Sequence, residues 1–244
     1  MKLGLGLSIN NRIDAEWTPE KFGDDLVMWL RKDTGINESD GSSAEDGDQV
    51  TQWTDQSGEG NHMVAANNFF TYDSATGGVE SGDGTNSKLY LATDGSKNIT
   101  FTGGFALYAR MALSTISTTG GTDLFVYDSD ASGEDYTRIQ TSTRIRGKIN
   151  NSTKFEWDFE TPEDDSFNNW GWERDGSNNL YFYLNNDALV RRSGTGLTDG
   201  AVSGDLVLDA IGGLFDGIFK EVIWVDRVLT SAERLKLKDY LDAL

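Results

Sequence analysis

The residues in this sequence best suited to catalysis are Glu156, Asp158 and Glu160, three carboxylates that alternate with aromatic residues. In a β-strand, side chains two residues apart point to the same face, so the spacing predicts three acids on one face. Two carboxylates about 5–5.5 Å apart can hydrolyse a glycosidic bond with retention, one as nucleophile and the other as acid and base. The pattern therefore makes these three residues candidate catalytic groups of a glycoside hydrolase.

The same alternation also has a structural interpretation. The residues between and before the acids are Phe155, Trp157 and Phe159, whose side chains fall on the opposite face of the strand. If these aromatic residues face a hydrophobic core, the acids face water and have no chemical role. The alternation favours this structural interpretation, and catalysis by the three carboxylates is the alternative.

A second candidate site is the acidic segment that contains Asp128, Asp130 and Ser132. Hard cations such as calcium bind several oxygens from one loop, and these three residues have the spacing of the start of a calcium loop. The twelfth position, where a bidentate glutamate is expected, is Ile139. The sequence therefore favours an acidic hairpin turn, with a calcium site as the alternative.

Other kinds of site find little support in the sequence. His62 is the only histidine, and it lies in a Gly-Asn-His turn, where we expect it to be solvated rather than part of a catalytic triad. Cysteine is absent, which excludes disulfides and thiolate chemistry. The sequence has no P-loop, dinucleotide fingerprint or HExxH motif. We therefore expect no cofactor, with calcium as the single open alternative, and no enzyme activity.

Composition narrows the classes of partner. The sequence has 40 acidic and 21 basic residues and a formal net charge of −19. Such a surface repels nucleic acid and anionic membranes, so neither is expected as a partner. A run of 18 apolar residues is absent, so we expect no membrane insertion.

The opening Met1–Ile9 is too short and Gly-rich for a signal peptide, and we expect it to be retained.

The elements that position these residues are predicted to be short β-strands. The chain has 28 Gly and only 2 Pro, and clusters of Gly, Asn, Asp and Ser separate its apolar or alternating runs. The predicted strands are Leu26–Leu30, Val50–Trp53, Phe105–Leu113, Leu124–Tyr127, Tyr136–Gln140, Ile145–Ile149, Phe155–Phe159, Asn168–Glu173, Leu180–Leu184, Leu206–Ile211 and Ile218–Val225. Many short strands joined by such turns predict an all-β sandwich or barrel.

One helix is predicted at the end of the chain. Thr230 and Glu233 have the T-x-x-E spacing of a capping box. An apolar stripe follows at helical spacing, at Leu237, Tyr240, Leu241 and Leu244. We expect this stripe to dock onto the sandwich, and we expect most of the seven Trp and eight Tyr to lie in the core.

Two surface segments and one domain are predicted. Gly35–Asp48 is polar and acidic and is expected to form a long surface loop. Residues 1–16 have few bulky apolar side chains and form a candidate attachment tail. Residues 17–244 are expected to form a single domain.

Four segments, in order, resemble the concanavalin A-like lectin and glucanase (laminin-G-like) jelly rolls. These segments are Trp17–Pro19 with Asp25–Leu30, Val50–His62 with its W-x-D-x-S-G-x-G-N pattern, Arg174–Asn185, and Phe215–Val222 with Arg227–Thr230. Together they span roughly residues 17–244. The resemblance implies a two-sheet antiparallel jelly-roll sandwich with a short C-terminal helix.

The resemblance also bears on the candidate acids. Glucanases of this fold use an E-x-D-x-E strand, but a few dozen residues separate it from their next tryptophan-bearing strand. Here Trp170 follows Glu160 after nine residues, which counts against catalysis. Asn186 stands where the family often has Gly, a mild departure because Asn tolerates the left-handed region.

The first residues suggest a setting for the domain. Met1–Ile9 is similar to the start of virion proteins from tailed phages of marine bacteria. That similarity implies a virion structural protein, in capsid decoration or in a tail or fibre, that assembles in the host cytoplasm. It also implies other virion proteins as partners and a homo-oligomer. The lectin-like fold, combined with this setting, would engage a host-surface glycan. The alternatives are a carbohydrate-binding lectin module outside a virion and a β-glucanase.

Overall fold

A computed structural model describes most of the chain beyond its first sixteen residues. The described residues are 17–65, 70–81, 88–91, 99–114, 122–127, 135–149, 153–195, 197, 206–212 and 215–244. The predicted tail, residues 1–16, lies outside them. Neither helix in the described part of the chain is long and apolar enough to cross a membrane.

Short antiparallel strands make up about half of the described chain. In chain order the strands are β1 (Leu26–Leu30), β2 (Ile36–Asn37), β3 (Gln52–Trp53), β4 (Met63–Ala65), β5 (Phe70–Asp73), β6 (Gly78–Ser81), β7 (Lys88–Tyr90), β8 (Ile99–Phe101), β9 (Phe105–Leu113), β10 (Thr122–Tyr127), β11 (Asp135–Thr141), β12 (Arg144–Ile149), β13 (Thr153–Asp158), β14 (Asn168–Arg174), β15 (Leu180–Leu184), β16 (Asp187–Ala188), β17 (Val190–Arg191), β18 (Leu206–Gly212) and β19 (Gly217–Val225). The predicted all-β fold is confirmed.

The strands form two sheets. The eight-stranded sheet has the order β16-β15-β14-β9-β19-β6-β5, and β1 also pairs with β19. The eleven-stranded sheet has the order β17-β13-β12-β11-β10-β18-β7-β4-β3-β2, and β8 also pairs with β18. Seven of the fifteen neighbouring pairs in these orders are not consecutive in the chain, so the chain passes repeatedly between and across the sheets.

The core lies between the two sheets. In β9, Phe105, Leu107 and Ala109 belong to the large core cluster, whereas Ala106 and Tyr108 belong to a second cluster on the outer face of the same sheet. This division follows the two-residue period of a strand. Six of the seven tryptophans are buried: Trp29, Trp53, Trp157, Trp170, Trp172 and Trp224. The expectation that these large aromatic residues lie in the core is confirmed for five of them, while Trp29 belongs to the second cluster.

The C-terminal helix covers the outer face of the eight-stranded sheet. Helix α1 (Ser231–Asp242) buries Leu237 and Leu241 completely, while Tyr240 and Leu244 pack against the same cluster. A reciprocal capping box between the residues at its start satisfies N–H groups that would otherwise have no partner. The predicted docking of the apolar stripe and the predicted cap are both confirmed.

A buried ion pair fixes the helix on the sheet. Glu173 of β14 is fully buried and accepts hydrogen bonds from Arg234 Nη2 at 2.8 Å and Tyr108 Oη at 2.7 Å. Burial beside this carboxylate raises the pKa of the Tyr108 hydroxyl well above its usual range, so the tyrosine remains a donor. The outer face of this sheet is therefore closed by matched polar and apolar contacts.

The first predicted strand is confirmed, and a helical turn precedes it. Strand β1 begins at Leu26 as predicted, and Pro19 begins a 3₁₀-helix, Pro19–Asp25, directly before it. Proline suits the first turn of a helix because its missing N–H has no partner there. The predicted loop Gly35–Asp48 is mostly exposed, except that its buried Ile36 belongs to β2.

Candidate functional site

The candidate acids lie on the outer face of the eleven-stranded sheet, which no helix covers in the described part of the chain. In β13 and just after it, Phe155, Trp157 and Phe159 are buried in the core between the sheets. Glu156 and Asp158 point to the opposite face. The predicted placement of the aromatic residues is confirmed, since the alternation of β13 separates an apolar face from an acidic one.

Glu156 is not solvated, contrary to expectation. It is only 5% exposed because two arginines from the adjacent strand β12 lie over it. Arg146 donates from Nε to Glu156 Oε1 at 2.8 Å and makes a second, shorter contact through Nη2. The Nε of Arg144 lies 3.6 Å from Glu156 Oε2. This buried carboxylate therefore holds two guanidinium groups side by side.

Asp158 continues the same ionic cluster. Its Oδ1 accepts a hydrogen bond from Arg192 Nη1 at 2.9 Å and lies 3.9 Å from Arg144 Nε. The backbone N–H of Arg192 donates to the carbonyl of Glu156 at 2.8 Å, which fixes this arginine beside β13. We call Arg144, Arg146 and Arg192, with Glu156 and Asp158, the arginine cluster. It has three positive and two negative groups.

Glu160 does not join the other two acids. β13 ends at Asp158, and Glu160 is exposed beyond the strand end. It lines a separate cavity of about 520 Å³ with Pro162, Asn168 and Asp187. The period of two continues only as long as the strand does, so the E-x-D-x-E spacing does not place three acids in one cleft.

A second cavity lies directly on the arginine cluster. It has a volume of about 420 Å³ and is lined by Arg144, Arg146, Arg192 and Glu156. A loop after β17 forms its remaining wall, with Ser193, Gly194, Thr195 and Leu197. All three arginines of the cluster therefore reach the same depression of the sheet surface.

The basic surface extends from the cavity along β12 and β11. Arg144, Arg146 and Lys148 alternate on β12, and the intervening Ile145 faces the core. On β11, Arg138 lies opposite Arg146. These cations were not predicted, although the alternation of basic and small or apolar residues in β12 is readable in the sequence. That pattern could have predicted a basic sheet face.

The remaining candidate residues have structural contacts or lie elsewhere. His62 Nδ1 accepts a hydrogen bond from the backbone N–H of Asp55 at 3.1 Å, so the expectation of a merely solvated histidine is wrong. Asp55 itself is buried and accepts from the backbone N–H groups of Trp29, Ser57 and Asn61 at 2.8–2.9 Å. The W-x-D-x-S-G-x-G-N segment thus forms a turn that anchors β1.

The calcium prediction falls outside the described residues. Asp128, Asp130 and Ser132 belong to residues 128–134, which the structure does not describe. Among the residues that it does describe, no group of three or more His, Asp or Glu side chains could hold a metal ion. The calcium site stays a prediction from the sequence.

Comparisons with known proteins support the fold. No protein-family model matches the chain, and no curated protein matches it. Among solved structures, a Trypanosoma rangeli sialidase in complex with sialic acid superimposes with a TM-score of 0.59 at 14% identity over 89% of this chain. The match covers 33% of the sialidase chain.

Two toxin domains are similar in the same way. The binding domain of botulinum neurotoxin DC, in complex with rat synaptotagmin II, gives a TM-score of 0.57 at 12% identity, covering 89% of this chain and 52% of that one. The binding domain of Paraclostridial Mosquitocidal Protein 1 gives a TM-score of 0.56 at 14% identity, and the match covers 90% of this chain and 53% of that one. This chain thus spans a third to a half of the structures it resembles. At such identities the likeness concerns the fold, a β-sandwich of the same general kind.

Proposed function

We propose that this chain is a lectin-like binding domain that holds a glycan on the outer face of its eleven-stranded sheet and does not hydrolyse it. The observation that carries the proposal is the state of Glu156, a candidate acid on that face. It is buried under Arg144 and Arg146, and it supports these arginines instead of facing a substrate.

The ion pairs argue against hydrolysis. A retaining glycosidase needs one carboxyl group that is protonated and can protonate the leaving oxygen. Glu156 is only 5% exposed and its Oε1 already accepts hydrogen bonds from Arg146, so it is not free to reach a leaving oxygen. Asp158 is paired with Arg192, and Glu160 lines a different cavity. The three acids of the motif therefore do not provide an acid and a nucleophile across one site.

We place the binding site on the outer face of the eleven-stranded sheet because helices cover the outer face of the eight-stranded sheet. Helix α1 and the 3₁₀-helix pack on the outer face of the eight-stranded sheet through Leu237, Leu241 and Phe22. The outer face of the eleven-stranded sheet carries the cavity of about 420 Å³ beside the loop that contains Thr195. Ligand sites are concave and hold a few convergent polar groups, as this cavity does.

A glycan array that includes neutral and acidic glycans tests this proposal. We expect binding to at least one glycan class, with no release of reducing ends from any bound polysaccharide. Thr195→Trp adds a large side chain to an exposed position on the cavity wall and should abolish binding. The control is Leu235→Trp, at an exposed position on helix α1, which should bind as the natural protein does. Hydrolysis that is lost in Glu156→Gln would contradict the proposal and favour the β-glucanase.

A place on a tailed-phage particle is a further part of the proposal. It rests on the similarity of Met1–Ile9 to virion proteins, and on the acidic, cysteine-free composition. In that setting the chain is a capsid-decoration, tail or fibre protein in symmetric or lattice-bound copies, with other virion proteins as partners. Mass spectrometry of purified particles is the test, and particles that lack the chain would remove this part of the proposal without touching glycan binding.

A further inference from the structure

We infer that the arginine cluster binds an anionic group, a carboxylate or a sulfate, on an acidic polysaccharide. This inference rests on the proposed function, because it names the class of glycan that the same surface takes. Its first support is the charge balance. The chain as a whole carries −19, yet this cavity gathers three guanidinium groups against two carboxylates.

The second support is the number of donors that the cluster leaves available. Each guanidinium has five N–H donors. Within the described residues, the guanidinium groups of Arg144, Arg146 and Arg192 together make three hydrogen bonds. Arg144 Nε makes none, since it is buried and its nearest carboxylate oxygen is 3.6 Å away, so the available donors of this arginine are on its Nη atoms. Planar guanidinium groups bind carboxylates and sulfates through paired N–H donors, which these arginines can still supply.

The third support is preorganisation. Glu156 is almost completely buried and forms ion pairs with both Arg144 and Arg146 of β12. A hydrogen bond from the backbone N–H of Arg192 to the carbonyl of Glu156 fixes the third arginine beside them. Arginines that are already held lose less conformational freedom when a ligand binds. Glu156 therefore acts as a positioning residue for the anion site.

The fourth support concerns the kind of molecule that carries the anion. A stable protein interface buries about 800 Å² on each partner and has an apolar centre. Near this cavity, the described residues offer a single exposed large apolar side chain, Val190. A cavity of about 420 Å³ instead suits one or two charged sugar units of a chain that continues along the sheet.

Two matched pairs of polysaccharides test the inference by calorimetry. Dextran sulfate is compared with dextran, and polygalacturonate with its fully methyl-esterified form. We expect binding to at least one charged member, which identifies sulfate or carboxylate as the source of the anion, and at least tenfold weaker binding to its neutral partner. The affinity should fall as NaCl is raised from 50 to 500 mM, because salt screens exposed charges.

Three variants test whether the charged polysaccharide binds at the arginine cluster. Arg192→Gln removes a partly exposed guanidinium and should weaken binding of the charged polysaccharide about tenfold or more. Lys236→Gln makes the same change in net charge on the exposed side of helix α1 and should change affinity less than about twofold. Arg192→Lys keeps the charge without the planar fork and should fall between them. A thermal melt of each variant shows that it is folded.

The possible results separate the two proposals. Equal effects of Arg192→Gln and Lys236→Gln would overturn the inference, because general charge would then explain the binding. Binding of the neutral polysaccharides that is as tight as binding of the charged ones would overturn the inference but leave the proposed function standing. Polyglutamate, which carries its carboxylates on a peptide chain, is measured as well. If it bound as tightly as the charged polysaccharides, the inference that the ligand is a polysaccharide would be overturned. If no glycan bound, either in calorimetry or on the array, both proposals would be overturned.

Discussion

Three buried glutamates show how single residues decide the character of each face. Glu173 is paired with Arg234 under the helix, and Glu156 with arginines on the open sheet. Among the described residues Glu221 forms no ion pair: burial raises its pKa, although Trp29 Nε1 donates to it at 2.5 Å. The same residue type thus fixes a helix, supports an anion site or accepts neutral donors, according to its partners.

Glu233, at the start of helix α1, gives a prediction about pH. Hydrogen bonds from Arg227 lower its pKa to about 2, against the opposing effect of partial burial. A carboxyl group with a lowered pKa stabilises the fold above its unfolded pKa, and that contribution is lost as pH falls from about 4.5 to about 2. Glu233→Gln keeps the capping box, so it should cost about 1 kcal/mol at pH 7, through loss of charge alone.

The measurement is urea unfolding of both proteins between pH 7 and pH 3. The difference in unfolding free energy should be constant above about pH 5 and should shrink below about pH 4. Glu20→Gln, at an exposed acid in the 3₁₀-helix, is the control and should cost little at any pH. A difference for Glu233→Gln that does not change across this range would contradict the assigned ion pair.

At the scale of elements, turns set the positions of the strands. The turn between β15 and β16 places Asn185 at φ 51° and Asn186 at φ 76°, both in the left-handed region. Asparagine occupies this region more readily than other residues with side chains, which explains how Asn186 can stand at a turn position that favours glycine. Asn186 thus adopts the left-handed conformation that a residue in place of glycine needs at this position, and that the departure is mild stays a prediction.

These two asparagines should respond differently to replacement by glycine. Asn185 Oδ1 accepts from the backbone N–H of Asn169 at 2.9 Å, and its Nδ2 donates to Asn168 at 2.8 Å. Asn186 Oδ1 is buried with no hydrogen-bond partner in the described part of the chain. Asn186→Gly should therefore raise the unfolding free energy by about 0.5 kcal/mol, and Asn185→Gly should lower it by about 1 kcal/mol.

Chemical denaturation of the two variants checks this prediction, with Asn186→Ala as the third. Alanine lacks the tolerance of asparagine for positive φ, so this change should cost about 1 kcal/mol. If Asn186→Gly and Asn185→Gly had the same effect, the hydrogen bonds of Asn185 would contribute nothing measurable.

At the scale of the whole molecule, the two outer faces have different roles. The C-terminal helix closes the eight-stranded sheet, and the basic cavity lies on the eleven-stranded sheet. The chain as a whole is strongly negative, with 40 acidic against 21 basic residues. A net charge of this size repels itself in the compact state and keeps the protein in solution.

Salt should therefore stabilise the molecule. Raising NaCl from 10 to 500 mM shortens the Debye length from about 30 Å to less than 8 Å, which weakens repulsion among surface acids. A gain of about 1 kcal/mol would raise Tm by about 2–4 °C for a chain of this length. Calorimetry in both salts measures the shift.

A variant with fewer charges provides the control. Glu20, Glu45 and Glu59 are exposed, and replacing all three with glutamine changes the net charge from −19 to −16. This variant should show a smaller rise in Tm with salt. An unchanged or larger rise would mean that salt acts through hydrophobic burial and not through charge repulsion.

Much of the fold was predictable because its patterns are local. The runs Leu26–Leu30, Phe105–Leu113 and Leu180–Leu184 are strands with the predicted bounds. The strands β4 to β8 between Met63 and Phe101 were missed, since they are three or four residues long and too short to show a period. Their pairing with distant strands, such as β18 and β19, determines that they are strands at all.

The sequence by itself determined the two faces of β13, because alternation is a property of consecutive residues. It could not determine that Glu156 is buried, since the two arginines that cover it come from β12. Those arginines are 10 and 12 positions from Glu156 in the chain, and only pairing of the strands brings them beside it. The three acids are therefore a catalytic candidate in the sequence, whereas in the tertiary structure Glu156 and Asp158 hold the arginines of a cationic cavity.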